Sequence, residues 1–161
     1  CTGLPTYNDG FSGASGYMNG LHRFWAPNFR VYVSSNGINW TDAGDWGSSG
    51  VNIGGNYGDQ NMPFYREGYY YSSSNNRIYR SADGINWSVF GTAAPGSGTY
   101  TYPGYINGNW VMATYTTTTG TIYTSSDATP ATWTSRYTSP TAASTHYGGS
   151  AYGVNQNGPT T

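Results

Sequence analysis

The chain contains no lysine, only two leucines (Leu4 and Leu21), one glutamate (Glu67) and one cysteine (Cys1). Each shortage excludes something. With a single cysteine, no intrachain disulfide and no thiolate metal cluster can form. Charged residues make up 8% of the chain and the net charge is −1. That leaves no basic footprint for nucleic acid or anionic lipid. No apolar run approaches the length of a membrane-spanning helix. Strong helix formers are scarce, so little is available to build helices. What is plentiful decides the class. Aromatics reach 17%, with 17 Tyr and 6 Trp among 24 Gly, whereas disordered chains are poor in such residues. Tyr, Trp, Thr and Val fit a pleated, half-buried surface, and 161 residues suffice for one core. The composition predicts an all-β domain over residues 1–161.

Three segments of the chain repeat one frame. They are Arg30-Val-Tyr-Val-Ser-Ser-Asn-Gly-Ile-Asn-Trp40-Thr41, Arg77-Ile-Tyr-Arg-Ser-Ala-Asp-Gly-Ile-Asn-Trp87-Ser88 and Thr121-Ile-Tyr-Thr-Ser-Ser-Asp-Ala-Thr-Pro-Ala-Thr-Trp133-Thr134. The tryptophans lie 47 and 46 residues apart. Each copy is preceded by a Tyr-x-Asn/Glu-Gly turn: Tyr17 to Gly20, Tyr65 to Gly68 and Tyr105 to Gly108. An aromatic-rich stretch follows each turn. Glycine there tolerates positive φ, which suits a primed hairpin turn. Each unit therefore reads as four short antiparallel strands, the period of a β-propeller blade. The repeats are placed at about 11–44, 61–91 and 100–138, with a partial fourth at 146–161. A propeller has about 4–8 blades, so other blades of a longer chain, or other protomers, are expected to complete the ring. Cys1 in first position suits either a processed, lipidated surface protein or a piece of something longer, and the second is expected.

The frame Ser-x-Asp-Gly-x-x-Trp resembles the Asp-box, or BNR repeat, of sialidases and many other extracellular β-propellers. The resemblance implies that the box lies on the hairpin between the third and fourth strands of a blade, away from any catalytic face. Its residues read as structural: Ser34, Asn36 and Trp40; Ser81, Asp83 and Trp87; Ser125, Asp127 and Trp133. The Asp or Asn accepts backbone N–H groups of its own turn and the Ser satisfies the other side. The Trp supplies an apolar face between blades. The first box has Asn for Asp, and the third is longer and lacks the Gly, so the turn chemistry is expected to differ there. One carboxylate per turn is too few for calcium. No metal and no cofactor are expected.

A sialidase-like activity would imply an arginine triad, a Tyr–Glu pair and an aspartic acid. The Arg-Ile-Pro motif is absent, with Asn28-Phe-Arg-Val31 its nearest approach, and Arg30 and Arg77 occupy equivalent, structural repeat positions. Glycoside hydrolysis needs two facing carboxyls, and Asp45 with Asp59 is the only pair worth considering. His22 and His146 have no nucleophile or metal spacing. The reading leans against an enzyme.

Connections between units vary most, at 44–60, 91–103 and 138–149, and loops on a rigid scaffold are where binding residues concentrate. They carry Trp46, Tyr57, Asp59, Tyr100, Tyr102, His146 and Tyr147 as candidate ligand contacts, with Trp46 and Tyr57 foremost because the repeat does not require them. Aromatic rings stack on sugar faces, and Asn, Asp and Gln bond hydroxyls. The expected function is a non-enzymatic, glycan-binding recognition or adhesion module, extracellular or on a cell or virion surface. Its partner would be a glycan or surface receptor. A sialidase-like hydrolase fragment and an architectural subunit are the alternatives.

Overall fold

The computed structural model describes residues 2–4, 14–26, 29–47, 63–74, 77–95, 101–115, 119–139 and 152–153. Among them every regular element is a β-strand. β1 (Ala14–Met18), β2 (Leu21–Trp25), β3 (Arg30–Ser34) and β4 (Thr41–Asp45) form one sheet in sequence order. β5 (Phe64–Arg66), β6 (Tyr69–Ser74), β7 (Arg77–Ser81) and β8 (Ser88–Thr92) form a second. β9 (Thr101–Ile106), β10 (Asn109–Tyr115), β11 (Gly120–Ser125) and β12 (Thr134–Thr138) form a third. β13 (Tyr152–Gly153) adds to it in parallel beside Tyr105 and Ile106. Each four-stranded unit is an antiparallel meander, and we term the three sheets blades 1, 2 and 3.

Turn chemistry explains why these strands meet. Asn19 and Gly20 have φ of 52° and 75°, Glu67 and Gly68 49° and 87°, Asn107 and Gly108 54° and 82°. Two consecutive positive φ values make the type I′ turn, whose twist matches that of the flanking strands. The register also slips at one repeat position in all three blades, between Val31 and Tyr32, Ile78 and Tyr79, and Ile122 and Tyr123. Such a bulge bends the outer strand pair and increases its twist.

Alternation along each strand gives a blade two faces, and the blades pack face to face. Trp25, Val31 and Trp46 of blade 1 meet Tyr70, Tyr79 and Trp87 of blade 2 in the first seam. Tyr71, Ile78, Ala93 and Ala94 of blade 2 meet Trp110 and Met112 of blade 3 in the second. Adjacent residues Tyr70 and Tyr71 thus serve opposite seams. Burial pushes the phenol of each above its ordinary pKa, as a low-dielectric seam should.

Strand direction sorts the connections. In an antiparallel meander the β1–β2 and β3–β4 turns share one end, as do their repeats. The β2–β3 turn and the blade-to-blade connections leave from the other. We call these the box end and the connection end.

Candidate functional site

At the box end the Ser and Asp or Asn side chains are consumed by their own turns. Ser34 Oγ accepts from Gly37 N at 2.9 Å, and Asn36 Oδ1 accepts from Ile38 N and Asn39 N, both at 2.9 Å. Blade 2 repeats this with Ser81 Oγ accepting from Gly84 N at 2.8 Å. Asp83 Oδ1 accepts there from Ile85 N and Asn86 N at 2.8 Å each. Partial burial alone would raise the pKa of Asp83. Bonds from the Asn86 backbone and side chain, the Ile85 backbone and the Ser81 hydroxyl outweigh it and bring the value down to about 2. The third turn differs, as its sequence implies: Asp127 Oδ2 accepts from Thr132 N at 2.9 Å and Ala131 N at 3.3 Å, further along the chain.

The same turns also stitch blade to blade. Trp25 Nε1 donates to Gly84 O at 2.8 Å and Arg23 Nη1 to Asp83 O at 2.9 Å, both across the first seam. Across the second, Trp133 Nε1 donates to Thr92 O, and Thr92 N to Pro130 O, each at 2.8 Å. Trp40 packs instead on Phe24, Ala26 and Tyr32, together with Leu4. The Ser and Asp or Asn oxygens of the boxes thus serve their own turns, and the indole N–H of Trp133 serves the neighbouring blade.

The remaining described carboxylates are also engaged locally. Asp42 holds Arg30 at 2.7 Å, Asp45 accepts from Gly47 N at 2.7 Å, and Glu67 pairs with Arg66 at 3.0 Å. Among the described residues no three His, Cys, Asp or Glu side chains converge as a metal site requires.

The connection end is different. Trp46, expected to be an exposed ligand contact, is 1% exposed and packs in the first seam. That expectation is corrected: stacking on a sugar needs an open ring face. Ala93 takes the equivalent repeat position in blade 2 and is buried too. Tyr102 lies in β9, opposite Ala113, rather than in a loop, and its side chain is outside the described residues. Tyr57, Asp59, Tyr100, His146 and Tyr147 also lie outside them.

A residue absent from those candidates stands out instead. Phe29 closes the β2–β3 turn with φ of 65°. Its N–H donates to Ala26 O at 3.1 Å, its carbonyl accepts from Trp46 N at 2.8 Å, and Ala26 N donates to Arg30 O at 2.8 Å. These bonds pair Ala26 with Arg30 and leave Phe29, just before β3, in the left-handed region, a slot usually given to Gly or Asn. A bulky residue there is a true outlier. Yet the Phe29 ring is 51% exposed, braced on Trp46 at 5.1 Å between centroids. A Cβ on Gly47 would lie 2.6 Å from that ring, so Gly47 leaves room for it. Pro27-Asn28 marks the turn in the sequence, but nothing there announces that an aromatic takes the left-handed slot.

No family model, curated protein or solved structure matches this chain. The reading of function therefore rests on the residues themselves.

One further hollow lies on a blade face rather than at an end. A cleft of about 590 Å³ runs along the side of blade 1 away from blade 2, between Leu4, Tyr17, His22, Phe24 and Trp40, with no carboxylate in its lining. Tyr17 and His22 are in ring contact at 4.8 Å.

Proposed function

We propose that the chain belongs to a non-enzymatic recognition or adhesion module of an extracellular, cell-surface or virion protein, and that it binds glycans at the connection end. The observation that carries this reading is Phe29: an aromatic ring held half-exposed by a backbone conformation that costs about 1–2 kcal/mol for a residue with a Cβ. Strain retained at an exposed position is a mark of function, and a rigid ring on a buried brace suits the apolar face of a sugar. The Asn-, Asp- and Tyr-bearing connections leave from the same end. The Ser-x-Asp/Asn turns support placing the chain with the Asp-box propellers, in which such turns are structural. The local engagement of every described carboxylate speaks for binding over hydrolysis.

A glycan array probed with the wild type and with Phe29→Gly tests this. Glycine relaxes the left-handed turn, so the fold is kept while the ring is lost. Binding that vanishes in the variant supports the proposal. Binding unchanged by Phe29→Gly, or no binding across a broad array, refutes it.

A further inference from the structure

The cleft side of blade 1 has a covered counterpart in each of the other two blades. Pairing with the box serines equates His22, Tyr70 and Trp110, and the residues beside them on the first strand of each blade are Tyr17, Tyr65 and Tyr105. Tyr70 and Trp110 are fully buried, and Tyr65 and Tyr105 pack half-buried against the two seams. In each seam an arginine of the preceding blade lies over these rings. Arg23 stands 4.7 Å from the centroid of Tyr70, and Arg66 stands 3.4 Å from that of Tyr105. Tyr17, by contrast, is exposed and lines the cleft with His22. Ile85 packs on the first seam, whereas its equivalent Ile38 is exposed.

One edge of the cleft is already filled, by the kind of segment that fills it in the second seam. Thr92 ends the outer strand β8, five residues after Trp87, and reaches across to the third box turn. Its N–H donates to Pro130 O and its carbonyl accepts from Trp133 Nε1, each at 2.8 Å. Thr2 treats the first box turn alike, donating to Ile38 O at 3.0 Å and accepting from Trp40 N at 2.9 Å. Two residues further on, Ala94 packs with Met112 and donates its N–H to the Met112 sulfur at 3.3 Å. Leu4 packs on Phe24, Ala26 and Tyr32, and register equates Phe24 with Met112. The sequences agree too, Thr2-Gly-Leu-Pro5 against Thr92-Ala-Ala-Pro95. Gly3, with φ of 84°, lies so close to the Trp40 carbonyl that a Cβ there would clash with it. Bulk is exchanged along the seams as well: large Trp25 goes with small Ser72 in the first, and small Ser73 with large Met112 in the second. Large Phe24 therefore asks for a small residue opposite.

We infer that the cleft is the docking surface for a further blade of this same chain, the blade whose outer strand ends at Thr2 and whose remaining strands lie in the residues immediately before Cys1. Residues 2–4 then lead into β1 as residues 92–94 lead from β8 into β9. Each described blade takes its four meander strands from consecutive chain, and a repeat of this kind cannot bury its apolar face alone. The further blade covers Tyr17, His22 and Ile38 as blade 1 covers Tyr65, Tyr70 and Ile85. Its support is the pairing of Thr2 and the packing of Leu4, not the place where the chain starts, and it is independent of the glycan reading.

Thiol labelling of the natural, full-length chain tests this. On a Cys1→Ser background, Tyr17→Cys and Ile38→Cys report on the cleft face and Val89→Cys on an outer strand, with mass spectrometry of the labelled peptides reading each site separately. Tyr17, Ile38 and Val89 are 64%, 58% and 52% exposed, so a bare face gives similar rates at all three. A docked blade makes positions 17 and 38 label at least about tenfold more slowly than position 89, because the reagent must wait for the seam to open. Two probes on the face keep the test alive if one variant fails to fold. The residues before Cys1 must also carry the repeat frame. Trp87 stands four residues before Gly91, so a Trp is expected four residues before Cys1, with a Ser six or eight residues before that Trp, as in the described boxes. Rates at 17 and 38 equal to that at 89 overturn the inference. So does protection without the frame, which assigns the face to another segment or to a partner, and so does a natural chain that starts at Cys1.

Discussion

Replacing Asp83 by asparagine removes a charge while keeping a turn, and the two contributions separate along a pH axis. The folded-state pKa of Asp83 is about 2, against an ordinary value of 3.8. At 1.36 kcal/mol per pKa unit, that difference corresponds to at most about 2.4 kcal/mol. The carboxylate is solvent-exposed, and screening reduces the figure to about 1 kcal/mol. Because the folded value lies below the unfolded one, the contribution is complete above about pH 5. It is lost as the pH falls through 4 towards 2. Asp83→Asn should therefore be about 1 kcal/mol less stable than the wild type at pH 7 and equal to it near pH 2. Blade 1 shows that the turn survives the change, since Asn36 Oδ1 accepts the same two backbone bonds at 2.9 Å. Asp83→Ala goes further and strips the partner from Ile85 N, Asn86 N and the Ser81 hydroxyl. It should lose about 1 kcal/mol more, at every pH, as loss of a capping side chain does. Urea unfolding followed by tryptophan fluorescence from pH 2.5 to 7 reads all three. Asp127 is also lowered by its backbone bonds, so some acid sensitivity persists in Asp83→Asn. Parallel wild-type and Asn curves over the whole range would refute the electrostatic argument, and an Ala variant no weaker than Asn would refute the hydrogen-bond argument.

Three other outcomes follow from the seams and the connection end. Trp46→Ala should destabilise the chain by about 3–5 kcal/mol in the same urea assay, because Trp46 is 1% exposed; a surface residue would change stability by less than about 0.5 kcal/mol. Gly91→Ala should also destabilise, since its Cβ would lie 2.6 Å from Pro130 O, a backbone atom held by Thr92 N across the second seam; an unchanged midpoint would show that this seam can open at no cost. Phe29→Gly should leave the unfolding free energy within about 1 kcal/mol of wild type, the relieved strain offsetting a ring contact worth about 0.5–1.5 kcal/mol.

The fold is legible because its signals are periodic. Ser34, Ser81 and Ser125 recur with their turns, and Asn/Glu-Gly pairs mark the inner hairpins, so strand order can be read directly from the chain. Seam membership is harder. Trp46 is matched in blade 2 by Ala93, so comparing copies makes it look dispensable to the scaffold and free for a ligand. The position is fixed by volume instead, and volume is shared with residues on a neighbouring blade that local sequence does not identify. Phe29 is invisible for a different reason: its left-handed slot usually goes to Gly or Asn, and a single departure from that rule leaves no repeating pattern.

The residue exchange between seams explains how near-identical blades can stack in a fixed order. Had every blade carried Trp at the position of Trp25 and Met at that of Met112, each seam would hold two large side chains, and overpacking costs about 1–3 kcal/mol. The chain instead alternates which side supplies the bulk: Trp25 against Ser72, then Ser73 against Met112. A blade inserted out of order would meet large with large or small with small, giving strain or a cavity. Order is thus encoded in the faces, while the box turns, nearly alike in blades 1 and 2, carry only the stitching. That division commits the Ser and Asp or Asn oxygens of the first two boxes to their own turns. The connection end differs in carrying Phe29, half-exposed on the buried ring of Trp46.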